Sequence, residues 1–454
     1  MAQEVLVGVD VGTTSIKALA VTPEGEILAL ASRETPWRHS GPMADADPRA
    51  LADVTIAVCA EAASSPEVAA RGATVVRSVG VTGIAEAGAL LDSSGEPCAP
   101  ALAWFDPRGD VAGIREVVDA RDFQRATGRR LSATPSLAKV LWLQRNVPGA
   151  RAGVRHLCVA EWIVRAMGGE EVSEASLTSR TGLMDIASRA PWPVAIELVG
   201  DLLPSNRVWA GDPAGTAQGD AVPAVLRGAT LTVAGLDHQA AVLVSGAAAD
   251  GFLFDSMGTA EALIRTVAAP IPIDQVELLT NQEIDVDWSV LPDHQILLAA
   301  RRTGLSLERV AAMLGANDRE GRRALGEAAL GVERGPDSPR LLEFGDDEVT
   351  LGGITDGVTP ALTWRAVVED LVAASDVALE QMSAVVGPHR TAVLAGGWIR
   401  NPMVADAKAR QLGAATTVDL PEPGALGAAF LGGVAAGLLR RPGPDGAPVW
   451  RVSG

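Results

Sequence analysis

A chain of 454 residues is too long for one ordinary core and suits two large lobes, and its 48% hydrophobic and 21% charged residues exclude a disordered or fibrous protein. A formal net charge of −18 leaves no basic field for a nucleic-acid backbone or an anionic membrane. Cys59, Cys98 and Cys158 are too few and too widely spaced for a disulfide framework or a zinc or iron–sulfur site. The opening MAQEVLVGVD lacks a basic leader followed by a long apolar run, and no stretch reaches membrane-spanning length, so a cytoplasmic location is expected.

In chain order, Val5–Asp10, Ile16–Val21 and Ile27–Ala31 read as three strands of a meander, joined by a Gly-Thr-Thr turn and by Pro23-Glu24-Gly25-Glu26. Leu51–Ala63 has a helical period, Thr74–Thr82 reads as a strand, and Gly88–Leu91 as a strand entering the turn Asp92-Ser93-Ser94-Gly95. Phe123–Leu198 is mostly helical, including Leu137–Arg145 and Ala160–Met167, and looks like an inserted cap. The strand signal resumes near Leu231 in LTVAGLDHQA, before a helical Ala240–Ala249. GFLFDSMGTAEALIRTV then repeats the opening grammar of apolar strand, Gly-Thr turn and apolar strand. Ala366–Val385, TAVLAGG and Ala425–Leu439 read as helix, strand into Gly-Gly, and helix. Gly331–Pro339 and Arg440–Pro448 are Gly/Pro-rich loops. Alternating strands and helices predict an α/β architecture, and the repeated hairpin predicts a duplicated fold with its ligand between the halves.

Asp10 ends an apolar strand and is followed by Gly12, Thr13, Thr14, Ser15 and Lys17, which gather a carboxylate, backbone amides, hydroxyls and a cation around one turn. A nucleotide phosphate with Mg²⁺ uses all four kinds of group, although turn geometry alone would also select Gly and Thr. No G-x-x-x-x-G-K-[ST] and no H-E-x-x-H is present, so a phosphate site must belong to another fold. Asp237, between an apolar strand and a helix, is placed for proton transfer or for a helix N-cap, and the two roles can coexist. Gly258 and Thr259 occupy the second hairpin, and Gly396 and Gly397 end a strand where a backbone could approach a purine or ribose.

DVGTTSIK resembles the first phosphate motif of the FGGY carbohydrate kinases, within the sugar kinase, Hsp70 and actin superfamily. The resemblance continues in order: VTGIAEAGALLDSSGEPCAPALAWFDPR is similar to the substrate-side segment with its W-x-D-x-R, and VAGLDHQAA to the segment bearing the catalytic Asp. SMGTAEAL is similar to the second phosphate hairpin, RAVVEDLV to the helix that follows it, and AGGWIRNPMVADAKARQLG and EPGALGAAFLGG to the adenosine motif and closing helix. These matches run from residue 5 to about residue 437. They imply two actin-like (ribonuclease H-like) lobes, 1–228 and 229–454, each a mixed five-stranded sheet with flanking helices, closing on ATP and a small sugar or polyol.

The resemblance further implies that Asp237 is the general base and that Asp10 organises Mg²⁺, usually through water. It places Gly12, Thr13, Thr14, Lys17, Gly258 and Thr259 at the phosphates, and Gly304, Gly396, Gly397 and Asn401 at the adenosine. Ala85, Glu86, Trp104, Asp237 and His238 would line the sugar, with Asp106 and Arg108 holding the loop or the pocket wall. The turn GIAEAG carries Met-His in the xylulose kinases and Arg-Glu in the glycerol kinases; Ala85-Glu86 keeps the Glu without its Arg. With Arg108 taken up by Asp106, two carboxylates, Glu86 and Asp237, would face one pocket and favour a neutral pentulose, hexulose or polyol over a sugar acid. Leu236, His238, Asp370 and the surroundings of Gly304 depart from the family pattern. A homodimer is left open, and the alternative is a catalytically silent sugar- or nucleotide-binding regulator, against which the joint retention of Asp10, Thr13, Lys17 and Asp237 argues.

Overall fold

The computed structural model describes residues 2–344, 348–413, 415–443 and 450; residues 444–448 of the loop expected over Arg440–Pro448 lie outside the described residues. The first sheet is built from β1 (Gln3–Val11), β2 (Ser15–Val21), β3 (Ile27–Glu34), β4 (Thr74–Gly83) and β5 (Thr230–Leu236), in the order β5–β4–β1–β2–β3. β1, β2 and β3 form the expected antiparallel meander, while β4 runs parallel to β1 and β5 parallel to β4. Val5, Leu6, Val7, Val9 and Val11 are all fully buried, as a continuous apolar run must be in a central strand covered on both faces. Helix α1 (Pro48–Ala63) covers the meander; it starts where the Asp47 side chain accepts from the Arg49 N–H and Pro48 needs no donor partner.

The second sheet contains β6 (Phe252–Met257), β7 (Glu261–Ala268), β8 (Ile284–Trp288), β9 (His294–Arg301), β10 (Thr391–Ala395) and β11 (Ala415–Thr417), in the order β8–β9–β7–β6–β10–β11. Apart from β8, its order and strand directions repeat those of the first sheet, so the duplication anticipated from two Gly-Thr hairpins is a duplication of topology. Two expectations are corrected. The second sheet has six strands, because β8 adds an antiparallel edge to β9. The division at 228/229 falls before β5, which pairs with β4: the fifth strand of the first sheet can be reached only after the long crossover through the cap, so that sheet ends at Leu236.

Helix α2 (Asp237–Val244) begins at Asp237, three residues before the expected start. Beside the helices Ile273–Asn281 and Arg319–Leu330, the second lobe contains α3 (Thr303–Met313), α4 (Pro360–Val386), α5 (Pro402–Leu412) and α6 (Pro423–Ala435). Among the described residues, no helix is long and apolar enough to cross a membrane.

α6 does not stay with the second sheet. It lies across β1, β4 and β5 of the first sheet and against α2, with residues Gly424–Gly433 all buried. Backbone meets backbone here: a Cβ added at Gly80 would stand 1.9 Å from the Ala428 carbonyl oxygen, and one at Gly8 2.0 Å from that of Ala425. A Cβ at Gly427 would stand 2.2 Å from the Ala240 carbonyl oxygen of α2. Gly80→Ala is therefore expected to lower stability by about 1–3 kcal/mol through overpacking against a rigid helix backbone, read as a lower denaturant midpoint at unchanged slope.

Candidate active site

The turn after β1 is held from three directions. The Gly12 N–H donates to the Ser15 carbonyl at 3.1 Å, Thr35 Oγ1 donates to the Gly12 carbonyl at 2.8 Å, and Trp37 Nε1 donates to the Thr13 carbonyl at 2.8 Å. Trp104 Nε1 donates to Thr13 Oγ1 at 2.9 Å, which ties the W-x-D-x-R loop to this hairpin. The Thr14 carbonyl accepts from the Thr35 N–H. Asp10 faces Lys17 across the ladder, and its Oδ1 is buried without a hydrogen-bond partner among the described residues. Burial, then the nearby Asp237 and Glu422, push the Asp10 carboxyl up to about 8, with Lys17 acting in the opposite direction.

Asp237 opens α2, and its Oδ1 accepts the His238 N–H at 2.7 Å; the Asp237 side chain keeps about a fifth of its surface and that of His238 about half. Asp10, Asp237, His238, Gly396, Gly397 and Glu422 line one cleft of about 320 Å³. Gly424 permits its depth, since a Cβ there would stand 2.4 Å from Asp10 Oδ2. Glu422 was not singled out by sequence. Its two carboxylate oxygens each accept from Lys17 Nζ at 2.9 Å, and its left-handed φ of 43° between Pro421 and Pro423 sets its direction. The run Pro-Glu-Pro-Gly at a helix start was the available signal.

Gly258, Thr259, Gly304 and Asn401 line a larger cavity of about 1010 Å³ whose lining also carries Arg319, Arg322, Arg323 and Arg400 beside Glu308, Asp318 and Glu320; Gly397 and Arg400 border both spaces, which are therefore adjacent. Gly304 packs on the hairpin so closely that a Cβ would stand 1.8 Å from the Gly258 carbonyl oxygen. Asn401 caps α5 by accepting from the Met403 and Val404 N–H groups, and donates to the Arg322 carbonyl, so its amide is already engaged. Beneath the hairpin, fully buried Lys408 lies 2.9 Å from Asp255 and donates to Glu261, which also accepts from Thr303 Oγ1 at 2.7 Å.

The sugar-side expectations are corrected in part. Glu86 does not line the cleft of Asp10 and Asp237, and Arg108 is not its nearest cation: Arg129 Nη2 and Arg180 Nε donate to Glu86 Oε1 at 2.8 and 2.9 Å. These guanidiniums come from segments far along the chain, which no local reading connects. Ala85 is packed in the core of the first lobe and lines neither cavity. Trp104 lines neither cavity and serves as a brace. Arg108 is bound to Asp106 and Asp45, and Asp106 accepts the Ala44 N–H, so this pair holds the loop. Asp370, a departure from the family pattern, binds Arg334 and accepts the Leu341 N–H.

Oxygen donors of this kind suit Mg²⁺, and the unpartnered Asp10 oxygen fits a cation. Among the described residues no three acidic, His or Cys side chains are gathered closely enough to hold a metal alone, so such an ion would also need water and phosphate oxygens.

The description "FGGY family of carbohydrate kinases, N-terminal domain" matches residues 5–205. The chain is 29% identical to a glycerol kinase of Aromatoleum aromaticum, covering 95% of this chain and 90% of that protein. It is 28% identical to a glycerol kinase of Gloeobacter violaceus, covering 95% and 88%. Its fold matches the crystal structure of a xylulose kinase from Rhodospirillum rubrum with a TM-score of 0.86 at 24% identity, over 98% of this chain and 92% of that one. A Plasmodium falciparum glycerol kinase with ADP gives 0.85 at 16% identity, over 97% and 91%.

Because the folded-state value of Asp10 lies above the unfolded one, its contribution to stability is present at low pH and lost as pH rises through about 8. Asp10→Asn cannot ionise. In ligand-free thermal melts, the difference between wild type and this variant should therefore shift against wild type as pH rises from 3.8 toward about 8 and level off above about 8. Parallel curves would mean that the Asp10 carboxyl is not held protonated.

Proposed function

Because the chain belongs to the FGGY family of carbohydrate kinases, we propose that it transfers the γ-phosphoryl group of ATP to a hydroxyl of a small neutral ketose or polyol, with Asp237 drawing the proton from that hydroxyl. The observation that carries this reading is the pair of adjacent cavities. Three carboxylates and Lys17 converge at one end, and the glycine-rich turns of the second lobe border the other.

The triphosphate would lie between the hairpins at Gly12–Lys17 and Gly258–Thr259. Asp10, together with water and phosphate oxygens, would hold Mg²⁺, which when bound supplies charge neutralisation for the phosphates. Lys17 would exchange Glu422 for a phosphate oxygen, one ion pair replacing another at little net cost. Among the described residues Asp237 accepts the neighbouring His238 N–H on Oδ1, which leaves Oδ2 to take the proton of the attacking hydroxyl. Little covalent work falls to the protein, so positioning and exclusion of water by the lobes supply most of the acceleration.

A neutral acceptor is supported on revised grounds. Beside Glu86, the two guanidiniums and Lys139 are set against three carboxylates, those of Glu86, Asp285 and Asp287, which leaves no surplus positive charge for a sugar acid. The glycerol kinase relatives point to the same substrate class.

An ADP-release assay over glycerol, xylulose, other ketoses and polyols, and gluconate tests the proposal. Turnover should depend on the acceptor, with a neutral compound giving the highest kcat/KM. A sugar acid as best substrate would refute the charge argument, and acceptor-independent or absent turnover would refute the kinase reading. Asp237→Asn should lower kcat by a factor on the order of 10²–10⁴ while leaving MgATP affinity nearly intact. A variant with near wild-type kcat would remove Asp237 from the role of base.

A further inference from the structure

β8 is the strand that the first sheet does not have, and its sequence Ile284-Asp285-Val286-Asp287-Trp288 alternates apolar and acidic residues. Alternation puts both carboxylates on one face of the strand, and that face is turned to the first lobe. Asp285 Oδ2 accepts from Arg129 Nη1 at 2.7 Å, and Asp287 Oδ2 accepts from Arg180 Nη1 at 2.6 Å. Asp287 Oδ1 also lies 3.7 Å from Arg129 Nη1. The same two arginines converge on Glu86, whose hydrogen bonds and ion pairs among the described residues all fall on Oε1. Five charged side chains thus form one bridge, with Glu86, Arg129 and Arg180 from the first lobe and both aspartates from the second sheet.

The bridge is anchored at its ends. The Val286 N–H donates to the Gly128 carbonyl at 3.0 Å, the Trp288 N–H donates to Ser179 Oγ at 3.2 Å, and Trp288 Nε1 donates to the Ile186 carbonyl at 2.9 Å. Glu86 itself sits at a positive φ of 61°, a conformation that a glutamate holds only when its surroundings impose it. Burial would raise its carboxyl, yet Arg180 and Arg129 hold it below the usual range, so the side chain stays ionised and aimed. Buried ion clusters of this sort add little net stability compared with an apolar replacement, and their best-attested use is to specify register or a switch.

We propose that Asp285 and Asp287 are positioning residues for the sugar site: through Arg129 and Arg180 they orient Glu86, leaving its Oε2 for an acceptor hydroxyl, and they make that orientation depend on the seating of the second lobe. The inference rests on the kinase reading and on the placement of the acceptor at Glu86, which in this structure is buried outside the cleft of Asp10 and Asp237 and would have to open to it when the acceptor binds. It also accounts for the turn Ala85-Glu86, which keeps a glutamate but no arginine of its own; the guanidiniums reach it from other segments, steered from the opposite lobe.

The test is steady-state kinetics with glycerol and xylulose as acceptors, on wild type, Asp285→Asn, Asp287→Asn, Glu86→Gln and the Asp287→Asn/Glu86→Gln double variant, with MgATP KM and melting temperature recorded for each. Asp287→Asn should raise the acceptor KM about tenfold, the loss of one well-formed charged hydrogen bond, with kcat and MgATP KM nearly unchanged. Asp285→Asn, at the more exposed partner, should shift the same parameter less and should fold even if Asp287→Asn does not. The double variant should be no worse in acceptor KM than the worse single variant, since both changes act on one unit. If Glu86→Gln raises acceptor KM while neither aspartate variant does, this inference falls and the kinase reading stands. If Glu86→Gln leaves acceptor KM unchanged, the placement of the sugar at Glu86 falls and this inference with it. A lower melting temperature with kcat and both KM values moving together would reduce the bridge to a structural role and overturn the proposal, as would the absence of acceptor-dependent turnover.

Discussion

The close seating of α6 on the glycine backbones of β1 and β4 is the contact from which the cleft follows. Main chain packs on main chain along several turns, giving dense dispersion contact that a side chain of any size at Gly8 or Gly80 would break. Its result is positional. A helix from the end of the chain brings its first turn to the end of the first strand and, through Gly427, against the helix that Asp237 opens. Asp10, Asp237 and Glu422 therefore meet although hundreds of residues separate them. The two sheets carry the same topology, but they are not independent bodies, because the last helix of the second half roofs the sheet of the first.

Two buried glutamate and aspartate environments show how partners decide chemistry. Asp10 and Glu86 both lie near the ends of central parallel or antiparallel strands, and burial works on both in the same direction. Asp10 has like charges for neighbours and one lysine shared with Glu422, so it is driven upward and one oxygen is unpartnered. Glu86 has two guanidiniums, so it is held down. A carboxyl of the first kind attracts a cation and suits an ion-binding role. One of the second kind is already neutralised and suits an orienting role toward hydroxyl groups. Lys17 stands between these cases, its side chain 36% exposed and joined to a carboxylate that an arriving anion can displace.

Local order along the chain carried much of the fold and part of the site. The meander, the parallel strand β4, the second Gly-Thr hairpin and the long helix α4 follow from apolar periodicity and turn residues, and Asp10 through Lys17 and Asp237 stand out because their neighbours in sequence are also their neighbours in space. The misreadings have a common physical origin. LTVAGL announces a strand but not the sheet it joins, so the boundary was drawn before β5. Sequence offers Glu86 only the Arg108 of the W-x-D-x-R stretch as a nearby cation, whereas its partners lie 43 and 94 residues away. Lys17 was read without Glu422, 405 residues distant. IDVDW displayed its alternation openly, yet which face it turned inward depended on a ladder with β9 that only the assembled sheet defines.

β8 also has a consequence for how the protein behaves among its own copies. It is the outermost strand of the second sheet, and an outer strand of apolar alternation offers unpaired amides and carbonyls on which another chain could add. Here that edge is engaged: backbone and side-chain groups of the first lobe take the Val286 and Trp288 amides, and two inward carboxylates would be stranded without counter-charge in any foreign sheet. Folding of the first lobe therefore shields the second from strand-by-strand association, and a chain whose lobes part, on heating or in a truncated form, exposes that adhesive border.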